Sequence, residues 1–312
     1  MAKTPTTKKR PTPPRPPARG GRPAGLFTWI AVGLVVVVVA ALVIIKVASG
    51  GTTNKAVSSV FQPTDATTVA ELTKVPASVF NTVGTTSPVA PVTPPLDLKG
   101  QPALTATNAS GKKVPEILYI GAEYCPFCAA QRWSTIVALS RFGTWSGLGN
   151  MSSSSTDYAP NTPTFTFAKA KYTSPYLVFT SVEEYTNIPD AATAFYTTLQ
   201  KPTTQESALI AKYDTPKYVK GMTTSQIGSI PFITFGNKFL VSGASYSPLT
   251  LASTTRSTIA AGLSNATSPV TQAIIASANY QTAAICSLTN QQPGNVCTSP
   301  GVKAADKVLG LK

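Results

Sequence analysis

Residues 114–128 read V-P-E-I-L-Y-I-G-A-E-Y-C-P-F-C. The first eight are mostly β-branched, aromatic or otherwise apolar, which predicts a buried strand. The run A-A-Q-R-W-S-T-I-V-A-L-S-R-F comes next and predicts a helix. Pro126 suits the first turn of that helix, because an N–H group at this position would be unpaired in any case. Cys125 and Cys128 are therefore expected at the point where a strand turns into a helix.

Cys125 and Cys128 have the spacing and the setting of a redox-active pair. Unpaired N–H groups and the helix dipole stabilise an anion at a helix N-terminus, so Cys125 should ionise more easily than a free thiol of pKa about 8.5. Cys125 is then the nucleophile that attacks a disulfide, and Cys128 resolves the mixed disulfide by closing a Cys125–Cys128 bond. Two other interpretations stay open here: an inert structural disulfide, and half of a zinc site completed by Cys286 and Cys297.

A second segment, S-I-P-F-I-T-F-G-N-K-F-L-V at 229–241, predicts a β-hairpin. Two apolar runs flank a Gly-Asn pair, which is the usual pattern of two strands joined by a tight turn. The bond between Ile230 and Pro231 enters the first strand and is a candidate for the cis isomer. A helix over about Pro248 to Leu263 is expected to follow the hairpin.

Composition excludes several classes of catalytic site. The chain has 312 residues, four Cys and no His, so one copy cannot form a Ser-His-Asp triad, a Cys-His pair or a His-ligated metal centre. Hydrophobic residues make up 43% of the chain, which is enough for a sizeable core. We expect neither a metal nor a cofactor.

The N-terminal region predicts a membrane anchor. Residues 1–25 form a basic, Pro-rich tail with seven Lys or Arg and no acidic residue, and Leu26 to Ile45 carry no charge. As a helix, this uncharged run would be about 30 Å long, the thickness of a bilayer's hydrocarbon core. The tail favours a cytoplasmic N-terminus, contact with membrane lipid and an extracytoplasmic main domain, so we expect a single-pass protein of the cell membrane. A cleaved signal peptide is the alternative.

The same tail argues against nucleic-acid binding. It supplies half of the formal net charge of +14, and with Lys46 also set aside the rest of the chain carries only +6. The basic residues of the tail are interspersed with Pro and not with the aromatic residues that stack on bases. We expect no nucleic-acid partner.

Beyond the span, we expect the chain to have three parts. Residues 46–100 form a linker and accessory segment, with a helix expected around Thr67 to Val83 that is interrupted or restarted at Pro76. Residues 101–263 form the main domain. Residues 264–312 form a C-terminal helical extension that begins with an apolar helix.

The extension contains the second cysteine pair. Cys286 and Cys297 flank a polar turn, and in an oxidising extracytoplasmic space they most simply form a structural disulfide. Closing so short a loop contributes about 3 kcal/mol in the chain-entropy model. The alternative is that this pair relays electrons to Cys125 and Cys128.

The order of these features resembles the thioredoxin-like superfamily. A-E-Y-C-P-F-C at 122–128 resembles its active-site motif, C-P-F-C resembles the glutaredoxin form of that motif, and I-P in the second segment matches the cis-Pro element. Over much of the chain the sequence is similar to a family named domain of unknown function 929. That similarity is carried by L-Y-I-G-A-E-Y-C-P-F-C-A-A-Q-R-W at 118–133, N-T-P-T-F-T-F at 161–167 and G-A-S-Y-S-P at 243–248.

The resemblance implies an α/β, thioredoxin-like fold with a central sheet flanked by helices over about residues 100–263. It implies that Cys125 is exposed beside Pro231, and that Ile230 and Pro231 hold an extended peptide substrate. Two features depart from the superfamily pattern. Tyr119 stands where many thioredoxins carry a buried proton-transferring Asp, and the residues between the cysteines lack the His of strongly oxidising relatives. The direction of electron flow therefore stays open.

Residues 144–158, T-W-S-G-L-G-N-M-S-S-S-S-T-D-Y, are an insertion relative to the superfamily. Serine runs pack poorly over other groups, so we expect a flexible surface loop. The alternative is a lid near the cysteine pair.

The expected function is that of a membrane-anchored extracytoplasmic thiol:disulfide oxidoreductase. Its substrates would be protein thiols or disulfides of secreted or surface proteins, and its own redox partner is not specified by the sequence. The alternative is a non-catalytic thioredoxin-like module that binds a peptide or protein, with Cys125 and Cys128 permanently closed in a disulfide.

Overall fold

The computed structural model describes residues 61–88 and 91–311. The basic tail and the proposed span, Leu26–Ile45, lie outside these residues. Within the two described ranges, no helix is both long and apolar enough to cross a bilayer.

The described residues form a mixed α/β structure of strands and eight α-helices. In chain order the strands are β1 (Gln62–Pro63), β2 (Leu96–Asp97), β3 (Thr105–Thr107), β4 (Lys113–Gly121), β5 (Thr144–Ser146), β6 (Gly149–Ser152), β7 (Pro163–Thr166), β8 (Lys171–Thr173), β9 (Val178–Glu183), β10 (Tyr185–Asp190), β11 (Phe195–Thr198), β12 (Phe232–Phe235) and β13 (Phe239–Ser242). The helices are α1 (Ala66–Thr73), α2 (Ala77–Val83), α3 (Pro126–Leu139), α4 (Thr204–Tyr213), α5 (Arg256–Gly262), α6 (Pro269–Cys286), α7 (Gly294–Cys297) and α8 (Pro300–Leu309).

Strand β4 is the centre of the largest sheet. On one side it pairs antiparallel with β12, which is followed by β13 and β2. On the other side its last six residues pair with β9 in parallel, and its first three pair antiparallel with β3. The sheet is therefore mixed, and the C-terminal end of its central strand leads into the turn that contains Cys125.

The two faces of this sheet bury different sets of side chains, because successive residues of a strand point to opposite faces. Ile117 and Tyr119 belong to the larger core cluster, which also contains the buried faces of α3 and α6. Leu118 and Ile120 belong to a smaller cluster with Tyr213 at the end of α4. Apolar residues thus line both faces, which is the pattern of a strand buried on both sides.

The accessory segment and the C-terminal extension pack on the same core. The predicted helix around Thr67 to Val83 is present as α1 and α2, which are separated just before Ala77 as expected. Phe80 is buried, and the side chain of Asn279 on α6 donates to the Phe80 carbonyl oxygen at 2.9 Å. Most of α6 is buried, in agreement with an apolar helix at the start of the extension.

The predicted continuous helix over Pro248 to Leu263 is wrong. A short 3₁₀ helix covers Pro248–Leu251, and α5 begins only at Arg256. Between them Ser253 has a positive φ of 61°, and the Thr255 side chain accepts a hydrogen bond from the N–H of Thr258. Thr stabilises a helix start more than a helix interior, so the chain ends one helix and begins another here.

A disulfide joins Cys286 and Cys297, as predicted, and both residues are fully buried. The bond lies near the end of the sheet that is opposite to Cys125. Leu288, two residues beyond Cys286, packs against Gly236 at the far end of β12 from Pro231. This separation favours the structural role of the bond over an electron relay.

Candidate active site

Cys125 occupies the N-cap position of α3. Its backbone is extended, with φ −75° and ψ 121°, and its Sγ accepts a hydrogen bond from the Cys128 N–H at 3.3 Å. Pro126 takes the first helical position and so removes one N–H that would have no partner. The strand-to-helix position expected for both cysteines is therefore present.

The hairpin brings Ile230 and Pro231 to Cys125. The Ile230–Pro231 peptide bond is cis, and Cys125 Sγ lies 3.8 Å from the Ile230 carbonyl oxygen, a distance that suits a weak S–H···O hydrogen bond. The register explains this contact, since Phe232 pairs with Ile120 at the end of the central strand. Cys125, Cys128, Ile230 and Pro231 thus form one site.

Cys125 is nevertheless not exposed, which corrects the expectation taken from the superfamily resemblance. The residue is 5% exposed and Cys128 is 0% exposed. The segment 153–162 lies against the turn that carries the pair: the N–H of Ser154 donates to the Tyr124 carbonyl oxygen at 2.8 Å. The ring of Tyr158 stacks on Phe127, with 5.8 Å between the ring centroids.

The insertion is therefore not a flexible surface loop, and that prediction is wrong. Its first part forms β5 and β6, and β6 pairs antiparallel with β7. Ser153 and Ser154 are buried, and their hydroxyl groups have hydrogen-bond partners. Ser153 Oγ donates to the Ala159 carbonyl oxygen at 3.0 Å and accepts from the Thr162 N–H at 2.9 Å. Hydrogen-bonded hydroxyls allow a serine run to pack beside the cysteines.

Aromatic rings from a second hairpin complete this side of the site. Strands β10 and β11 follow directly after β9, and Tyr196 of β11 stacks face to face on Tyr124, with ring centroids 4.2 Å apart. The Tyr196 hydroxyl donates to Ser154 Oγ at 2.7 Å, which joins the hairpin to the segment 153–162. The sequence analysis missed this hairpin as part of the site.

The surroundings of the two thiols shift their pKa values in opposite directions. The pKa of Cys125 is lowered first by a hydrogen bond from the Cys128 side chain, and further by the Cys128 backbone N–H and by the positive charge of Arg132. Burial of Cys125 acts in the opposite direction. Burial and the neighbouring Cys125 sulfur raise the pKa of Cys128 well above its usual range. These opposite directions favour the thiolate form at Cys125 over Cys128.

A buried ion pair lies directly behind the cysteines and was not foreseen. Arg132 on α3 and Glu183 at the end of β9 are both fully buried and are joined by two hydrogen bonds, of 2.9 and 2.6 Å. Arg132 also donates to the Ala122 carbonyl oxygen at 2.8 Å. Helical spacing places Arg132 one turn after Cys128, but no local pattern indicates Glu183 as its partner.

Tyr119 lies between an aromatic ring and a buried cation: its ring centroid is 5.0 Å from that of Phe167 and 5.8 Å from the Arg132 guanidinium carbon. Tyr119 is fully buried, its hydroxyl has no hydrogen-bond partner, and it lies so close to Gly121 that a side chain at 121 would clash with it. Burial raises the pKa of Tyr119 well above its usual range. Tyr119 has no carboxylate, and the carboxylate of Glu116 accepts a hydrogen bond from Thr180 of β9.

A comparison with known protein families identifies the family of this chain. A family model described as "Domain of unknown function (DUF929)" matches residues 103–287, more than half of the chain. The chain belongs to the DUF929 family. The comparison with curated proteins and the comparison with solved structures both found no match.

The matched region of this DUF929 protein contains both site cysteines, the Ile230–Pro231 bond and the Arg132–Glu183 pair. Cys297 lies outside it. Because Cys286 and Cys297 are bonded to each other, they cannot join Cys125 and Cys128 in a four-cysteine zinc site. In residues 61–88 and 91–311, no group of three or more His, Cys, Asp or Glu is arranged to hold a metal.

A groove runs beside the hairpin of this DUF929 protein. A cavity of about 450 Å³ is lined by residues that include Tyr218, Lys220, Leu240 and Gly243. The N–H of Gly243 donates to the Pro231 carbonyl oxygen at 2.9 Å, which links the lining of the groove to the proline beside the cysteine pair.

Removing the outer ring that stacks on Phe127 should open the site. In Tyr158→Ala we expect Cys125 to react severalfold faster with iodoacetamide, since Tyr158 is 55% exposed and its loss removes cover without creating a core cavity. Mass spectrometry of timed samples gives the rate. Tyr176→Ala, which changes a ring beside the opposite end of β4, is the control and should leave the rate unchanged. An unchanged rate in Tyr158→Ala would show that this segment does not limit access.

Proposed function

We infer that this protein is a thiol:disulfide oxidoreductase whose nucleophile is Cys125 and whose resolving thiol is Cys128. One observation carries the proposal: Cys125 Sγ accepts the Cys128 N–H at a helix N-terminus and lies 3.8 Å from the Ile230 carbonyl oxygen, directly before a cis-proline. The helix N-terminus and the lowered pKa favour the thiolate, which is the reactive form. The resemblance to the thioredoxin-like superfamily implies that the backbone at Ile230 and Pro231 holds an extended peptide.

The sheet topology supports a thioredoxin-like assignment. The strand order β13-β12-β4-β9, with only β4 and β9 parallel, agrees with the order of elements that the resemblance implies. In that order the cysteine pair follows the central strand and the X-Pro bond precedes β12. The fold alone does not determine activity, so the proposal depends on the site.

The proposed exchange balances without a cofactor. The Cys125 thiolate attacks one sulfur of a substrate disulfide, forms a mixed disulfide and releases the other substrate sulfur as a thiolate. Cys128 then gives its proton to the released substrate thiolate and attacks Cys125 Sγ, which breaks the mixed disulfide and releases the second substrate sulfur as a thiolate that takes a proton from water. The substrate leaves as a dithiol, having gained two electrons, and the protein retains a Cys125–Cys128 disulfide. The reverse sequence oxidises a substrate dithiol.

The membrane assignment is part of the proposal. An uncharged run after a basic tail supports an anchor over Leu26–Ile45, with the tail cytoplasmic and the rest of the chain outside. The buried Cys286–Cys297 disulfide supports an oxidising, extracytoplasmic location, since such bonds are rare in reducing compartments. The substrates would then be disulfides or thiols of secreted or surface proteins.

The burial of Cys125 favours a second candidate, a module that binds a peptide without exchanging electrons. Only 5% of the residue is exposed, so a substrate sulfur must enter a narrow opening. In this alternative the groove beside Gly243 would hold a partner while the cysteines remain closed.

Trapping with Cys128→Ser separates the two candidates. The full chain carrying this change, reduced and then mixed with a peptide disulfide of known mass, should accumulate a mixed disulfide at Cys125, because no resolving thiol is present. Cys125→Ser is the matched control and should trap nothing. The unaltered chain should catalyse turnover of the same peptide with a thiol reductant. Absence of both the trapped species and turnover would support the binding module instead.

A further inference from the structure

The guanidinium of Arg132 lies directly beneath the cysteine turn. Arg132 follows Cys128 by four residues and Cys125 by seven, so all three share one face of α3 at 3.6 residues per turn. Helical side chains lean towards the N-terminus, and Arg132 Nη2 reaches the Ala122 carbonyl oxygen at 2.8 Å. Ala122 lies three residues before Cys125, so the positive charge is held at the base of the turn.

Glu183 holds this charge from the neighbouring strand. Nε and Nη2 of Arg132 donate to the two carboxylate oxygens, and Oε1 also accepts the Phe167 N–H at 3.1 Å. Glu183 is paired with Gly121 in the sheet register, which sets it beside the end of the central strand. The third guanidinium nitrogen, Nη1, is buried without a hydrogen-bond partner, so the carboxylate balances the cation only on one side.

A buried ion pair is weak evidence of a stabilising role. Removing both charges from water costs about as much as their attraction returns, and apolar replacements of similar volume are often neutral or favourable. Arg132 and Glu183 are both fully buried, and Nη1 lacks the hydrogen bond that would offset its desolvation. A contribution to stability therefore does not explain why an ion pair lies at this position behind the cysteines.

Several titratable groups lie on the elements around the two sulfurs. They include Tyr119 on β4, Glu123 and Tyr124 in the turn, Arg132 on α3, Asp157 on the segment 153–162, Glu183 at the end of β9 and Glu184 directly after it. Burial raises the pKa values of Tyr119, Glu123 and Tyr124, which favours their neutral forms. Within this set Arg132 is the one cation, and its charge favours the thiolate form of both cysteines.

We propose that Arg132 is a positioning residue whose buried charge stabilises the Cys125 thiolate and raises the reduction potential of the cysteine pair, and that Glu183 limits this effect. The proposal rests on the proposed function. Reduction by glutathione converts the protein disulfide and two glutathione thiols into one thiolate, one thiol, a released proton and glutathione disulfide. A cation beside the thiolate favours these products and so makes the protein a stronger oxidant.

The two partners of the ion pair should have opposite effects. In Arg132→Gln we expect the pKa of Cys125 to rise by about one unit, and in the isosteric Glu183→Gln to fall by about one unit, the scale of a single nearby charge. At a pH where Cys125 is ionised, the equilibrium constant for reduction by glutathione should fall about tenfold in the first variant. It should rise about tenfold in the second variant. These changes correspond to shifts of about 30 mV, in opposite directions, in the reduction potential of the cysteine pair.

The experiment measures alkylation of Cys125 against pH and the equilibrium with glutathione, both on the full chain. Arg132→Lys keeps the charge and should stay close to the unaltered protein. Arg141→Gln is the matched control, because Arg141 is a largely buried arginine just beyond α3 that contacts Asn279, Thr282 and Ser299 instead of the cysteine turn. It should leave both quantities unchanged.

Opposite shifts in the two glutamine variants support the proposal. The proposal would be overturned if both variants shifted the pKa of Cys125 in the same direction, or if Glu183→Gln left that pKa unchanged or raised it. A purely structural ion pair would only loosen the site in either variant. If Arg132→Gln does not fold, Glu183→Gln and Arg132→Lys still decide the question. The alkylation profile needs no turnover, so the absence of exchange in the unaltered protein would refute the proposed function and leave this comparison intact.

Discussion

Reduced protein treated with iodoacetamide near neutral pH should gain one alkyl group, on Cys125, while Cys128 stays unmodified. Alkylation requires a thiolate that the reagent can reach. The pKa of Cys125 is lowered, first by the hydrogen bond from Cys128, whereas burial raises the pKa of Cys128 well above its usual range. Cys128 is also 0% exposed. Peptide mapping by mass spectrometry would locate the label.

The pH dependence of this reaction follows from the same shift. Because the pKa of Cys125 lies below that of an ordinary thiol, the alkylation rate should reach its half-maximum at a lower pH than for a free cysteine, and it should fall as acid protonates the sulfur. Cys128→Ala removes the side-chain donor that makes the leading contribution, so the half-maximum of this variant should move to higher pH. A label on Cys128, or a Cys125 profile identical to that of free cysteine, would contradict this account of the site.

Local patterns were sufficient to predict the elements that carry the thiols. The strand over 114–121 is one residue longer in the structure, as Lys113–Gly121, and the helix that follows is present as α3. Both predictions depend on side-chain periodicity within one segment and on Pro126 at the helix start. The Ile230–Pro231 bond and the hairpin after it are equally local features.

Contacts between distant segments explain what the sequence could not predict. Arg132 and Glu183 are 51 residues apart in the chain and meet only because β9 lies parallel to β4. The segment 153–162 and the β10–β11 hairpin contact Tyr124 and Phe127 on either side of Cys125, and neither has a sequence pattern that points to the cysteines. A serine run indicates a loop, but it does not indicate which surface the loop covers.

Loss of the second disulfide should lower stability without altering the cysteine site. In Cys286→Ala/Cys297→Ala we expect the free energy of unfolding to fall by about 3 kcal/mol, within a usual range of about 2–5 kcal/mol, because the unfolded chain regains the freedom of a closed loop. Both residues are fully buried, so small cavities add to this loss. Chemical denaturation would measure it as a smaller extrapolated free energy of unfolding and a lower midpoint.

The same variant decides between a structural bond and an electron relay. Leu288 packs against Gly236, so the bond lies near the opposite end of the sheet from Pro231 and Cys125. A structural bond predicts that the folded variant keeps the Cys125 alkylation rate and its turnover with an external thiol reductant. A relay predicts that single-turnover attack by Cys125 survives while multiple turnover stops, since the route that restores the reactive pair is gone. Comparing one turnover with many, below the unfolding midpoint, therefore separates a loss of electron transfer from a loss of fold.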